Sequence, residues 1–190
     1  MRNLVFFDID GTLVTRNNHI LKSTIQAINQ LKANGTIPVI ATGRAPVLIH
    51  EIAERLEINS YIAMNGQYIV HEGEVLYSNA IDMALVDEVV EFARERKDGI
   101  ILCTADEMIA NSAISLVNRG SWFTFLKGLV GLIPDRMKVH LWNAMMKKAP
   151  DREEYIGKEI FMMNVNANQE EEIYYMERIP ELGYTRANKM

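Results

Sequence analysis

Residues 4–8, Leu-Val-Phe-Phe-Asp, form a continuous apolar run that stops at a polar turn. Such a run suits a central parallel strand covered on both faces. After a loop through Asn17 and Asn18, residues 23–34 place Ile25, Ile28 and Leu31 on one helical face. Ala27 broadens that stripe and Gly35 supplies a C-terminal stop. Residues 37–41, Ile-Pro-Val-Ile-Ala, read as a second strand, with Pro38 near its start, where a missing donor is tolerated. A second helix is predicted over residues 46–56, its Pro46 in the first turn, and a third strand over residues 60–64. The order β-α-β-α-β predicts a parallel, three-layer α/β sheet with right-handed crossovers.

The pattern then changes. Residues 67–71 and 74–78 flank Glu72-Gly73, a hairpin signal. A helix from Asp82 to Arg96 turns Leu85, Val89, Phe92 and Ala93 inward, and residues 100–104 and 107–111 pair through the Ala105-Asp106 turn. An irregular, partly helical stretch leads to an apolar strand at 159–165, a helix over 169–178 and a short extended tail. Helices mixed with antiparallel strands indicate a separate α+β unit whose boundary falls near residues 79–82.

Composition narrows the class. The chain has 190 residues, 48% hydrophobic, enough for a substantial core and too apolar for disorder. With 20 Lys+Arg against 25 Asp+Glu there is no basic excess to neutralise a nucleic-acid backbone. The single cysteine, Cys103, cannot form an internal disulfide, so a cytoplasmic location is expected. The longest apolar stretch, residues 121–134, contains Lys127 and is shorter than the ~20 residues of a spanning helix, so no membrane segment is expected. His19, His50, His71 and His140 show no metal-ligand spacing, and Trp122, Phe123 and Phe125 read as helix-packing residues.

The chemistry concentrates in Asp8-Ile9-Asp10-Gly11-Thr12-Leu13, directly after the first strand. Side chains at i and i+2 of an extended segment project to the same side, so Asp8 and Asp10 converge at the carboxyl end of the strand, where open α/β sheets bind ligands. One carboxylate can attack phosphorus while the other handles a proton. Gly11 lets the chain turn and brings backbone N–H groups towards an anion. Thr42-Gly43-Arg44 ends the second strand and opens a helix, a second anion-binding device. Parallel strands one crossover apart put Thr42 beside Asp8, and together the two devices make a phosphate pocket.

These residues resemble those of the haloacid dehalogenase superfamily of phosphohydrolases. Asp8-x-Asp10-Gly11-Thr12 matches its first motif and Val39-Ile40-Ala41-Thr42-Gly43-Arg44 its second. The Thr-Gly-Arg form, Asn65-Gly66 after the third strand and the α+β insertion resemble the Cof-type branch. The resemblance implies a Rossmann-like core, supplied here in part by residues 1–80, and an α+β cap over residues 81–190, incomplete at its C-terminal end. It implies Asp8 as the nucleophile that forms an aspartyl-phosphate and Asp10 as the general acid/base. Mg²⁺ would be held by the Asp8 carboxylate and the Asp10 backbone carbonyl, and the phosphoryl group by the Ile9 amide, Thr42 and the Gly43 amide. Arg44 and Asn65 are implied on the substrate side, with a helix-start salt bridge and a turn cap as their open alternatives. The substrate would be a small phosphorylated metabolite chosen by the cap.

The family's remaining motifs are a lysine that neutralises nucleophile and phosphate and an acidic Gly-Asp turn that completes the Mg²⁺ site. The sequence contains no Gly-Asp pair, and Lys189 has no following element to place it. The chain is therefore expected to be truncated before those motifs and impaired in turnover. Opposite charges ~4 Å apart are worth about 4 kcal/mol at an effective dielectric of 20, so losing the lysine alone costs roughly three decades in rate. The first strand would then become an exposed apolar edge through which the chain self-associates. The alternatives are completion of the site in trans, or a non-catalytic module that binds a phosphorylated ligand or a partner.

Overall fold

The computed structural model describes residues 3–110, 149–166, 173 and 175–177. Strand β1 (Leu4–Phe7) is followed by helix α1 (Lys22–Ala33), β2 (Ile37–Ala41), α2 (Pro46–Leu56) and β3 (Tyr61–Ala63). A one-turn 3₁₀ helix (Met64–Gly66) leads to β4 (Tyr68–His71) and β5 (Glu74–Ser78). Helix α3 (Met83–Arg96), β6 (Gly99–Cys103), β7 (Met108–Ile109), α4 (Arg152–Tyr155) and β8 (Met162–Asn166) complete the described elements. The architecture is α/β, with a mixed sheet. The aromatic run at Trp122, Phe123 and Phe125, the apolar stretch 121–134, His140 and Lys189 lie outside the described residues.

The first sheet has the order β1-β2-β3-β4-β5. β1, β2 and β3 are parallel, with Phe6 opposite Val39 and Ile40 opposite Tyr61. β4 and β5 continue the same sheet antiparallel, through a two-residue turn at Glu72 (φ 48°) and Gly73 (φ 89°). Two successive positive φ values make the turn twist that matches the flanking strands, which is why Glu72-Gly73 reads correctly as a hairpin. A bulge at Leu76 interrupts the β4–β5 ladder.

At β1 the two expectations, a covered central strand and an exposed apolar edge, part, and the structure has the edge. Among the described residues this strand has one neighbour, so it is an edge and not a central strand covered on both faces. Leu4 is 48% exposed and Phe6 55%. An apolar run reports that a strand can be buried; strand order decides whether it is.

Helix α1 buries Ile28 and half-buries Ile25 and Leu31, but Ala27 lies exposed, so its stripe is narrower than its pattern predicts. Gly35 at φ 74° ends the helix as expected. Helix α2 buries Pro46, Ile49, Ile52 and Leu56. With Ile9, Val39, Ile40, Ala63 and Met64, these side chains form the buried interior of the first sheet's region.

The chain separates into two compact units, one of Met1–Ile81 with Cys103–Met108 and Glu159–Met162, the other of Asp82–Leu102, Ile109–Lys158 and Met163–Met190. Helix α3 starts at Asp82, whose side chain accepts the Ala84 N–H at 2.8 Å. It buries Val86, Val89, Val90 and Ala93, leaving Leu85 and Phe92 half-buried; Phe92 instead meets the Tyr175 ring edge-on, 4.9 Å between centroids. The second sheet has the order β7-β6-β8, and β6 is buried at all five positions. Among the described residues no helix is long and apolar enough to cross a membrane.

Candidate active site

The parallel strands β1, β2 and β3 end side by side. Phe7 pairs with Ile40 and Ala41 with Ile62, so the segments after the three strands leave the same edge of the sheet as neighbours. They are Asp8-Ile9-Asp10, Thr42-Gly43-Arg44 and Met64-Asn65-Gly66. This is the carboxyl end, where α/β sheets place ligands.

Alternation continues one step past β1. Asp8 and Asp10 are exposed, while Ile9 between them is 0% exposed. The buried Ile9 side chain therefore anchors a segment whose two carboxylates face out together. The chain then closes on itself: the Ile9 carbonyl accepts N–H groups from Leu13 at 3.1 Å and Val14 at 3.0 Å, and Gly11 turns at φ 77°. Asp8 takes no hydrogen bond or ion pair from any described residue.

Asp10 does. Arg44 donates to it in a fork, Nε to Oδ2 at 3.1 Å and Nη2 to Oδ1 at 2.5 Å. Of the two open readings for Arg44 the ion pair is present, but its partner is Asp10 across the sheet edge, 34 positions away in the chain. Sequence spacing carries no signal for such a pair. The turn before Arg44 is ordered locally: its N–H donates to Thr42 Oγ1 at 3.2 Å, and the Thr42 N–H to the Ile62 carbonyl at 2.9 Å.

Asn65 sits at φ 56°, ψ 35°, with Met64 at φ 49° before it and Gly66 at φ 92° after it. Three successive left-handed residues form a tight reversal that asparagine and glycine accept and methionine resists. Met64 is held there by burial, at 1% exposure, and by its N–H, which donates to the Arg44 carbonyl at 3.1 Å. The reversal brings the Asn65 amide onto Gly43: a Cβ added at Gly43 would lie 2.8 Å from Asn65 Oδ1. This juxtaposition has no signal in the sequence, where Asn65 reads as a substrate-side residue or a turn cap.

No group of three or more His, Cys, Asp and Glu side chains converges among the described residues. The donors at the end of β1 are hard oxygens, a free carboxylate at Asp8 and backbone carbonyls beside it. They fit Mg²⁺, which takes one or two carboxylates and fills its remaining positions with water and substrate phosphate. Elsewhere in the first unit, a depression of about 340 Å³ is lined by Lys32, Glu57, Ser60 and Glu72. Its cation is already engaged, because Lys32 Nζ donates to the Leu56 carbonyl at 2.7 Å and lies 3.5 Å from Glu57. His71 is likewise occupied by Ser60, at 3.3 Å.

A family model described as haloacid dehalogenase-like hydrolase matches residues 5–188. YkrA of Bacillus subtilis (strain 168), provisionally named a phosphatase, is 31% identical over 189 residues, covering 98% of this chain and 65% of that protein. A crystal structure of a hypothetical protein from Geobacillus kaustophilus HTA426 aligns with a TM-score of 0.76 at 30% identity, over 99% of this chain and 66% of that one. The HAD subclass IIB sugar phosphatase BT4131 aligns with a TM-score of 0.65 at 27% identity, over 95% of this chain and 64% of that one. The chain thus spans just under two thirds of the length of these relatives.

Proposed function

Because the chain belongs to the haloacid dehalogenase-like hydrolases, in their Cof-type branch, we propose that it is the nucleophile-bearing part of a phosphomonoester hydrolase acting on a small phosphorylated metabolite. The observation that carries this reading is the exposed–buried–exposed order of Asp8, Ile9 and Asp10 at the end of β1, with Asp8 unengaged. The Asp8 carboxylate attacks phosphorus and the ester oxygen leaves, forming an aspartyl-phosphate. Asp10 gives that oxygen its proton, then takes one from the water that releases phosphate from Asp8. The Ile9 and Gly43 N–H groups and the Thr42 hydroxyl hold the phosphoryl oxygens. The Asp8 carboxylate and Asp10 backbone carbonyl would hold Mg²⁺, which when bound supplies positive charge against nucleophile and phosphoryl group. Arg44 and Asn65 border the substrate, Arg44 reaching it only on leaving Asp10.

No Gly-Asp pair occurs in the 190 residues, so turnover by this chain alone is read as marginal, and it is formation of the covalent intermediate that tests the proposal. Incubation with acetyl phosphate and Mg²⁺ should add one phosphoryl group, detected by intact mass, removed by hydroxylamine and absent in Asp8→Asn. A label that persists in Asp8→Asn, or none on the native chain, overturns it. The Arg44 fork, which occupies both Asp10 oxygens, favours one second reading: a pocket that binds inorganic phosphate without becoming labelled. A single, buried cysteine, Cys103, suits a reducing, cytoplasmic setting, and exposed Leu4 and Phe6 suit self-association through β1.

A further inference from the structure

The structure assigns to Asn65 a positioning role towards the phosphate-binding turn; this rests on the reading of the Gly43 amide as a phosphoryl ligand. Gly43 is exposed and its φ is not positive, so its backbone conformation would accept a side chain. What excludes one is Asn65, whose Oδ1 stands 2.8 Å, Cγ 3.6 Å and Nδ2 3.8 Å from the place a Cβ would take. The Asn65 amide is thus packed on the side of Gly43 where a Cβ would stand. A glycine with solvent there samples many conformations; with a planar amide against it, its N–H keeps one direction. The reversal is made with a buried methionine in the left-handed region, a conformation that methionine resists.

The same arrangement continues inward. Met64, next to Asn65, donates to the Arg44 carbonyl, and Arg44 forks onto Asp10. The reversal after β3 therefore supports both the phosphate-binding turn and the acid/base carboxylate, from a strand that supplies neither. Besides bordering the substrate, Asn65 is a positioning residue. It acts through Gly43.

Three variants test this. Asn65→Gly removes the amide while glycine keeps the left-handed backbone, and Gly43→Ala pushes the amide aside, which a mobile side-chain end permits without unfolding. Asn65→Gly should lower the ¹⁵N order parameter of the Gly43 amide in the ligand-free chain. Both variants should slow acetyl phosphate labelling of Asp8 by on the order of tenfold, a misplacement effect, with the thermal midpoint unmoved. The double variant should be no worse than either single, since both break one contact. Asn65→Asp, which retains Oδ1, should restore Gly43 order. Native Gly43 order in Asn65→Gly, or additive losses in the double variant, would overturn the assignment. If the native chain takes no label, the hydrolase reading falls, and Gly43 order alone decides on Asn65.

Discussion

Among the described residues there are two Arg–Asp forks of nearly identical chemistry, one in each compact unit. In the second, Arg152 Nε lies 3.1 and 3.2 Å from the two oxygens of Asp87 and Nη2 donates at 2.9 Å. There Asp87 also accepts from the Tyr155 hydroxyl at 2.9 Å, and Tyr155 is 2% exposed. The trio ties α3 to α4, whose N-terminus is closed by Glu154 accepting the Asp151 N–H at 2.9 Å. At the end of β1, by contrast, Arg44 and Asp10 stand on two loops, with no third described partner and an unpaired carboxylate at Asp8. Identical pairs thus serve different ends. Reinforced by a buried hydroxyl, a fork is a clasp; beside the Asp8 carboxylate, the Arg44–Asp10 fork has no such reinforcement among the described residues.

The two forks differ in titration as well. Hydrogen bonds from Arg152 hold the Asp87 carboxyl below the usual carboxylate range against the opposing effect of burial, and Tyr155 adds to the lowering. Burial, then the bond to Asp87, pushes the Tyr155 hydroxyl up to about 12.

The comparison would break if either fork behaved like the other. The largest effect is expected at Asp10: in Asp10→Asn the phosphoryl label on Asp8 should hydrolyse about 10²–10⁴-fold more slowly, followed by mass spectrometry, while the denaturation midpoint stays put. A variant that instead unfolds would make the first fork a clasp too. Next, Tyr155→Phe should lose about 1.5 kcal/mol in urea unfolding, the value of a hydrogen bond to a charged acceptor, with labelling of Asp8 unchanged. The smallest effect is its pH dependence. Because the folded Tyr155 pKa is raised, its contribution is fully present below the ordinary tyrosine value of 10.0 and lost as pH rises through about 12. Because the Asp87 pKa is lowered, that contribution is present above the ordinary carboxylate value of 3.8 and lost as pH falls through the folded one. Unfolding curves of Tyr155→Phe and the native chain should therefore converge at the alkaline limit; a constant gap would remove the link.

Local chemistry made much of the first unit readable. Pro46 opens α2, Gly35 closes α1 and Glu72-Gly73 turns the hairpin because each satisfies a backbone demand within a few residues. Asp8 and Asp10 were readable as a pair for the same reason, since strand alternation is a two-residue rule. What escaped was long-range. The Arg44–Asp10 fork joins positions 34 apart, and the Asn65–Gly43 contact depends on a left-handed methionine that no propensity favours. Leu4 and Phe6 look like core because they are apolar, and their exposure follows from strand order, which hydrophobicity does not encode.

That strand order has a consequence for synthesis. The first sheet runs β1 to β5 in the order in which a ribosome delivers the strands. Each new strand pairs with the one made just before it, across one helix or a short turn, and none is inserted between two already joined. A hairpin such as β4–β5 closes in about 1–10 μs, whereas translation adds about 5–20 residues per second. That hairpin can thus close as soon as both its strands have emerged, whereas the parallel pairs β1–β2 and β2–β3 span a helix each and close more slowly.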